Sequence, residues 1–234
     1  MHLPSESLHG AICPVTIAVS ITCVAVAAYT LSKQKERPSF QMFALTTLAL
    51  LTLQAVNYPL PGGFSGHLIG SVLALILLGL PAGILCVSCV LAIQCLLFND
   101  GGLWELGANV LNMSVVASAV GYIVRKGNDS LGKVFIASVS SVLVAVTFVG
   151  VELLCSAGTS LSPVTLFKLL YVYHLPVAVI EGIATTAIAY VLNAEMSTMK
   201  VKNRTLVIAL IIIAFILFPF SSSVPDALET VLSM

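Results

Sequence analysis

Long apolar stretches alternate with short polar ones along the chain, and this pattern predicts its secondary structure. Most of the apolar stretches are close to 20 residues long, about the length at which an α-helix crosses the hydrocarbon core of a bilayer. We predict spans at residues 11–32, 40–56, 68–80, 82–98, 105–125, 132–154, 171–193 and 205–220. The sequence therefore predicts an all-α membrane protein, a polytopic bundle of helices.

The first stretch could instead be a signal peptide, because Ala25-Val26-Ala27 resembles a cleavage site. Signal peptides, however, begin with basic residues, and no Lys or Arg precedes this stretch. Lys33, Lys35 and Arg37 follow it. Basic residues on the far side of a span are typical of a retained helix whose N-terminus lies outside the cell.

Residues 68–98 admit either one long helix or a hairpin broken at Leu80-Pro81-Ala82-Gly83. A single helix would be about 46 Å long, which exceeds the bilayer core. With a hairpin, nine of the ten Lys and Arg residues fall on one side, in the loops at 33–37, 125–133 and 195–204. That side is the cytoplasm, because cytoplasmic loops carry an excess of basic residues. We therefore predict the hairpin.

Composition supports a membrane protein and argues against several functions. Apolar residues make up 59% of the chain and charged residues only 9%, whereas about a quarter of the residues in soluble domains are charged. Mean hydropathy is +1.08. Basic clusters with interleaved aromatic residues are absent, which argues against nucleic acid as a partner. The chain also lacks a P-loop, an H-E-x-x-H motif and a G-x-S-x-G motif, so we predict that it is not an enzyme.

The first two residues, Met1-His2, form a potential chelator. The α-amine, the deprotonated His2 amide and the His2 ring nitrogen Nδ1 can lie in one plane around a metal ion. A further imidazole, such as that of His67, would complete a square of four nitrogens. Square-planar nitrogen ligation suits Ni(II) or Cu(II). The alternative is that His2 has no role in metal binding, since some second residue must follow any initiator methionine.

The predicted topology brings polar groups to the outer face. All four histidines (His2, His9, His67, His174) and the carboxylates of Asp100, Glu105, Asp226 and Glu229 lie at or near that face. Such side chains suggest that a cation is captured from outside, although outer loops are polar in any case. The two readings stay open on these residues alone.

Some polar residues within or beside apolar stretches are candidates for a cavity around the metal. Glu152 and Glu181 are costly inside a bilayer and should face the interior of the bundle. We expect Glu181 to accept hydrogen bonds rather than to bind metal, and His174-Leu175-Pro176 to open a span. The residues that we predict to lie near the metal are Asn57, Ser65, His174 and Glu181.

Several motifs, in one order along the chain, resemble those of a known family. They are Met1-His2-Leu3-Pro4, Gln54-x-x-Asn57-x-Pro59 with Gly63-x-Ser65-Gly66-His67, Gln94-Cys95-Leu96-Leu97-Phe98-Asn99-Asp100-Gly101-Gly102, Leu106-Gly107-x-Asn109-x-x-Asn112-Met113, and His174-Leu175-Pro176 with Glu181-Gly182. The chain resembles the nickel- and cobalt-specific membrane subunits of energy-coupling-factor transporters, the CbiM/NikM family.

The resemblance implies seven core transmembrane helices plus a C-terminal helix, with the extracellular N-terminus inserted into the bundle. Its implied ligands are the Met1 amine, the His2 amide and ring nitrogens, and His67. The transported substrate would be Ni(II) or Co(II), and we favour Ni(II) because a planar nitrogen square stabilises it more. The implied partners are a transmembrane scaffold subunit, cytoplasmic ATPase subunits and a small accessory subunit in a prokaryotic cell membrane.

The C-terminal residues carry a second resemblance. Pro225-Asp226-Ala227-Leu228-Glu229 is similar to the PDGLE signature of the small accessory subunit of these systems. We therefore divide the chain into a metal-binding membrane domain, residues 1–195, and residues 196–234, which comprise a cytoplasmic linker, one further helix and the PDGLE-like tail. Two alternatives are a membrane metal sensor and a stand-alone transporter coupled to protons through Glu152 and Glu181.

Overall fold

A computed structural model describes residues 2–126, 130–156, 159–198 and 203–234. The helices are α1 (Ile12–Lys33), α2 (Phe40–Gln54), α3 (Ser71–Leu78), α4 (Leu80–Phe98), α5 (Leu106–Asn109), α6 (Ala117–Arg125), α7 (Leu131–Cys155), α8 (Pro163–Thr198), α9 (Asn203–Leu217) and α10 (Ala227–Leu232). A π-helical segment, Val110–Val116, joins α5 to α6. Strands β1 (Tyr58–Leu60) and β2 (Phe64–Gly66) form an antiparallel pair between α2 and α3.

The helices agree with a multi-pass membrane protein. Within the described part of the chain, five are long and apolar enough to cross a bilayer: Ile12–Lys33, Leu80–Phe98, Leu106–Arg125, Leu131–Cys155 and Pro163–Leu192. Helices Phe40–Gln54 and Val207–Phe220 are apolar but shorter. The centres of two predicted cytoplasmic loops, 127–129 and 199–202, lie outside the described residues, so the orientation of the chain stays a prediction.

The predicted break between residues 68 and 98 lies at Gly79. This residue has a φ of 79°, which glycine adopts at no steric cost, and α3 ends there. Helix α4 folds back on α3, because a Cβ atom at Gly83 would lie 3.2 Å from the carbonyl carbon of Ala74. Helix α3 has only eight residues, about 12 Å at 1.5 Å per residue. The span predicted at 68–80 is therefore shorter than a bilayer crossing.

Helix α8 corrects one prediction. The sequence analysis expected a span at 171–193 opened by His174-Leu175-Pro176, but the helix begins at Pro163. Ser162 caps it, since its hydroxyl accepts a hydrogen bond from the Thr165 amide at 3.2 Å, and proline is favoured at the first helical position. His174 and Pro176 therefore lie inside a continuous helix.

The interior of the bundle is partly polar. Glu152 and Glu181 are both buried, as predicted for carboxylates in membrane helices. The Asn112 amide donates a hydrogen bond of 2.6 Å to the Glu152 carboxylate, so α7 is tied to the π-helical segment. The Ser114 hydroxyl donates to the Ile84 carbonyl at 2.7 Å. These bonds link the long helices that surround the N-terminal residues.

Candidate metal centre

A cavity of about 590 Å³ lies where the N-terminal residues meet α2, α4, the loop before α3 and the C-terminal residues. His2 and His67 both line it. The structure thus brings together two of the residues that the sequence analysis assigned to a metal. The third, Met1, lies outside the described residues.

The N-terminal arm (residues 2–10) is held by hydrogen bonds to the segment around α5. The Leu3 amide donates to Asn109 Oδ1 at 2.8 Å, and Asn109 Nδ2 donates to the Leu3 carbonyl at 3.2 Å. The Gly102 amide also donates to the Leu3 carbonyl, at 3.0 Å. The Leu8 amide donates to Glu105 Oε1 at 3.3 Å. Because His2 directly precedes Leu3, these bonds fix the direction from which its ring enters the cavity.

The loop that carries His67 is held from both sides. Glu181 on α8 accepts hydrogen bonds from the amides of Ile69 and Gly70, at 2.8 and 2.9 Å. The Gln54 amide nitrogen at the end of α2 donates to the Ile69 carbonyl at 2.7 Å. Irregular backbone inside a membrane protein requires such internal partners. His67 therefore projects from a loop whose following residues are held by three hydrogen bonds.

The imidazoles of His2 and His67 stack on one another. Their centroids are 5.0 Å apart and their planes differ by 11°. Burial lowers the pKa of each ring to about 3, so both rings are neutral at physiological pH and keep one nitrogen lone pair each. The Leu68 carbonyl lies 3.2 Å from His67 Nδ1. Since a carbonyl only accepts hydrogen bonds, this contact favours the tautomer in which Nδ1 carries the proton and Nε2 keeps the lone pair.

A carboxylate lies beside each imidazole. Asp100 Oδ1 is 3.4 Å from His2 Nδ1, and Asp226 Oδ2 is 3.8 Å from His67 Nε2. Two carboxamide oxygens, Gln54 Oε1 and Gln94 Oε1, have no hydrogen-bond partner among the described residues, and both side chains line the cavity. The site is therefore rich in oxygen and nitrogen lone pairs.

The predicted residues around the site have different positions. Asn57 lines the cavity, and Ser65 bonds to the C-terminal residues, donating from Oγ to the Val224 carbonyl at 2.7 Å. Glu181 holds the backbone that follows His67. His174 is fully buried in α8 and hydrogen-bonds through Nδ1 to the Leu170 carbonyl at 2.8 Å; it is not among the residues lining the cavity.

Side chains alone do not form a metal site in the part of the chain that the structure describes. Among the described residues there is no group of three or more His, Cys, Asp and Glu side chains that could hold a metal ion. The ligand set predicted from the sequence is not a site of that kind, because it combines two imidazoles with main-chain nitrogens at the N-terminus. It therefore needs no third His, Cys, Asp or Glu side chain.

Several residues that position the N-terminal arm and the site were not identified from the sequence. Asn109 and Glu105 bond to the N-terminal arm, but in the sequence they were only members of a motif or polar groups of an outer loop. Asp226 was recognised only as an outer carboxylate in a PDGLE-like tail. Its distance from His67 depends on the packing of residues that are far apart in the chain.

Comparisons with known proteins identify the family of this chain. A family profile described as CbiM, cobalt uptake substrate-specific transmembrane region, matches residues 2–199. The chain is 33% identical over 218 residues to a putative fused nickel transport protein NikMN of Archaeoglobus fulgidus, covering 92% of this chain and 73% of that protein. It is 35% identical over 124 residues to a probable fused nickel transport protein LarMN of Lactiplantibacillus plantarum, covering 52% of this chain and only 38% of the relative.

A solved structure is similar as well. The crystal structure of a truncated transition metal transporter superposes with a TM-score of 0.74 at 27% identity. The superposition covers 83% of this chain and 99% of that one. The profile match spans most of the sequence and includes both histidines of the cavity. The chain therefore belongs to the CbiM family of cobalt and nickel transport proteins.

Proposed function

We propose that this chain is the substrate-binding membrane subunit of an energy-coupling-factor transporter and that it captures Ni(II), in preference to Co(II), from outside the cell. The observation that supports it is the stacked pair of His2 and His67, buried at a cavity and next to the N-terminus. The ligands in this proposal are the Met1 amine, the His2 amide and Nδ1, and His67 Nε2.

The chemistry of these donors favours a planar complex. A deprotonated amide is a strong-field ligand, and nickel gains more than cobalt from a square of four nitrogens. Raw affinity would place Cu(II) above both ions, so selection against copper would depend on availability and geometry. The chain has no P-loop, so transport would need the scaffold and ATPase subunits named in the sequence analysis. The seven-helix core and the extracellular N-terminus belong to the same proposal.

The experiment is a measurement of nickel content and equilibrium affinity with the purified protein in detergent. One variant carries two extra residues before Met1, which moves the imidazole of His2 to the fourth position, too far from the terminal amine for the chelate rings to close. A second variant is His67→Ala. We expect nickel binding to collapse in both. The control inserts one residue after Glu36, in the exposed connection between α1 and α2, and should bind like the parent.

Nickel binding by the extended protein at the affinity of the parent would overturn the proposed ligand set. Competition between nickel and cobalt at the parent protein tests the preference, which would be wrong if cobalt bound more tightly. Co-expression with scaffold and ATPase subunits from the same genome tests the assembly. Metal uptake into vesicles that contain this chain alone would contradict the need for those partners.

A further inference from the structure

The C-terminal segment (residues 221–232) forms one wall of the cavity, although it is remote in sequence from both histidines. It runs beside the loop that carries His67. The Ser222 amide donates to the Asn57 carbonyl at 2.7 Å, and the Ser65 amide donates to the Pro225 carbonyl at 2.9 Å. Ser65 and Asp226 form a parallel β-bridge. The segment is thus bonded to the backbone two residues before His67.

Helix α10 anchors the segment to the bundle. Its residues Ala227, Leu228 and Val231 are buried, and the helix packs against α8. Ala227 belongs to a small apolar cluster with Phe64 of β2 and Val177 of α8. The segment is therefore an integrated part of the fold at the cavity.

Asp226 uses its two carboxylate oxygens differently. Oδ1 accepts hydrogen bonds from the amides of Leu228 and Glu229, each at 2.8 Å, and so caps α10. Oδ2 lies 3.8 Å from His67 Nε2, the nitrogen that the proposed ligand set assigns to the metal. The two amide hydrogen bonds that Oδ1 accepts favour the ionised form of this carboxyl group.

A dication bound by the proposed ligands needs a counter-charge. The deprotonated His2 amide neutralises one of the two positive charges, and a charge left buried without a partner is costly. The carboxylates that line the cavity are Asp100, Asp226 and Glu229, and the described lining residues include no Lys or Arg. Asp226 is only 12% exposed, whereas Asp100 is 49% exposed. Glu229 is also exposed. Water screens Asp226 least, so it is the best-placed counter-charge of the three.

We propose that Asp226 is a metal-binding determinant, whose carboxylate the C-terminal segment brings to His67 to neutralise the bound dication. This inference rests on the proposed function, because it assumes that the ion lies at His2 and His67. It assigns the PDGLE-like segment a direct part in holding the substrate. The effect depends on the charge of the ion, so Co(II) and Ni(II) should be affected alike.

The test compares Asp226→Asn with the parent protein by equilibrium binding of Ni(II) and of Co(II) in detergent. Asparagine has the shape of aspartate and caps helices equally well, so the variant removes the charge and keeps the cap. We expect affinity for both ions to fall by about 10- to 100-fold, the effect typical of losing a partner around a metal site. The melting temperature of the metal-free protein should not change.

Two further variants keep the test decisive. Glu36→Gln removes one negative charge from an exposed position between α1 and α2 and should bind both ions like the parent. Asp226→Ser also caps α10 without a charge, so it should lose the same affinity as Asp226→Asn. It supplies the comparison if asparagine lowers the melting temperature.

The outcomes separate this inference from the proposed function. If the parent and Asp226→Asn bind nickel equally tightly while His67→Ala does not bind, Asp226 is only a helix cap and the inference alone is overturned. If His67→Ala binds nickel like the parent, or the parent does not bind it, the proposed site is wrong and the inference falls with it. Loss of binding in both Asp226 variants, with Glu36→Gln unaffected, supports the inference.

Discussion

The carboxamide of Asn109 forms two hydrogen bonds with the backbone of Leu3, one as acceptor at 2.8 Å and one as donor at 3.2 Å. The two residues are 106 positions apart in the chain. A carboxamide satisfies both backbone polar groups of one residue in this arrangement, much as a neighbouring β-strand would. Because His2 precedes Leu3, this contact links the interior of the bundle to the position of an imidazole in the cavity.

We predict that Asn109→Ala weakens nickel binding. The change leaves the buried amide of Leu3 without its acceptor, and an unsatisfied buried group costs about 1–3 kcal/mol. This cost falls on the docked arm, so nickel affinity should fall about tenfold, the factor that corresponds to 1.4 kcal/mol. Equilibrium binding of Ni(II) to the purified variant measures the effect.

The nickel affinity of Asn109→Asp should lie between those of the parent and the alanine variant, because aspartate keeps an acceptor for the Leu3 amide but loses the donor to the Leu3 carbonyl. Gln41→Ala, at an exposed position of α2, serves as the control and should not change affinity. Parental affinity in Asn109→Ala would mean that the arm does not depend on this contact.

We predict that Gly102→Ala also weakens nickel binding. A Cβ atom at this position would collide with the carboxylate of Glu105 and lie 2.8 Å from the Cα atom of Ser5. Glu105 would have to move away from the Leu8 amide, and the hydrogen bond between them would be lost. The N-terminal arm would shift as a result. Nickel affinity should fall at least about tenfold if the arm loses a bond worth about 1.4 kcal/mol.

The matched control for that substitution is Gly132→Ala in α7, where an added Cβ atom would meet nothing within 4 Å. Alanine is the better helix former by about 1 kcal/mol, so this variant should fold and bind nickel like the parent. Equal affinities for the two glycine variants would show that the arm tolerates displacement.

We predict that Glu181→Gln lowers the melting temperature of the metal-free protein. Its two carboxylate oxygens accept from the Ile69 and Gly70 amides, whereas glutamine offers a single oxygen acceptor. One buried amide would lose its partner, at a cost of about 1–3 kcal/mol. Thermal unfolding in detergent, with Glu36→Gln as the control for loss of charge, measures the difference. An unchanged melting temperature would contradict the role that we assign to Glu181.

We predict that Leu228→Ala releases the C-terminal segment. Leu228 is fully buried, and truncation of a buried leucine to alanine typically costs about 2–5 kcal/mol. Limited proteolysis should then cleave the C-terminal residues faster than in the parent. Val224→Ala, an exposed position of the same segment, should be cleaved at the parental rate. Equal rates for both variants would indicate that α10 is not held by its apolar contacts.

The sequence predicted the apolar helices well because the length of an apolar stretch is a local signal. The start of α8 was missed for the same reason: its first turns contain Thr165 and Lys168, which lower the local hydropathy, and Ser162 caps the helix before the apolar stretch begins. The apolar residues of α3 were recognised in the sequence, but the irregular backbone before the helix was not. Gly70, which directly precedes α3, has a φ of 77°.

The site was predicted only in part. Main-chain donors beside His2 are visible in the sequence because they are neighbours in the chain, and His67 was found through its motif. The pairing of Asp226 with His67 and of Asn109 with Leu3 arises only from packing between distant segments. No periodicity or spacing within a single stretch of sequence encodes such contacts.

The walls of the cavity have a consequence for biosynthesis. They are built from residues between His2 and Glu229, so the ribosome makes the first imidazole more than two hundred residues before the last carboxylate. A nascent chain already inserted in the membrane as far as α8 would contain both histidines but not the segment that covers them. The complete cavity forms only after α10 has emerged and docked.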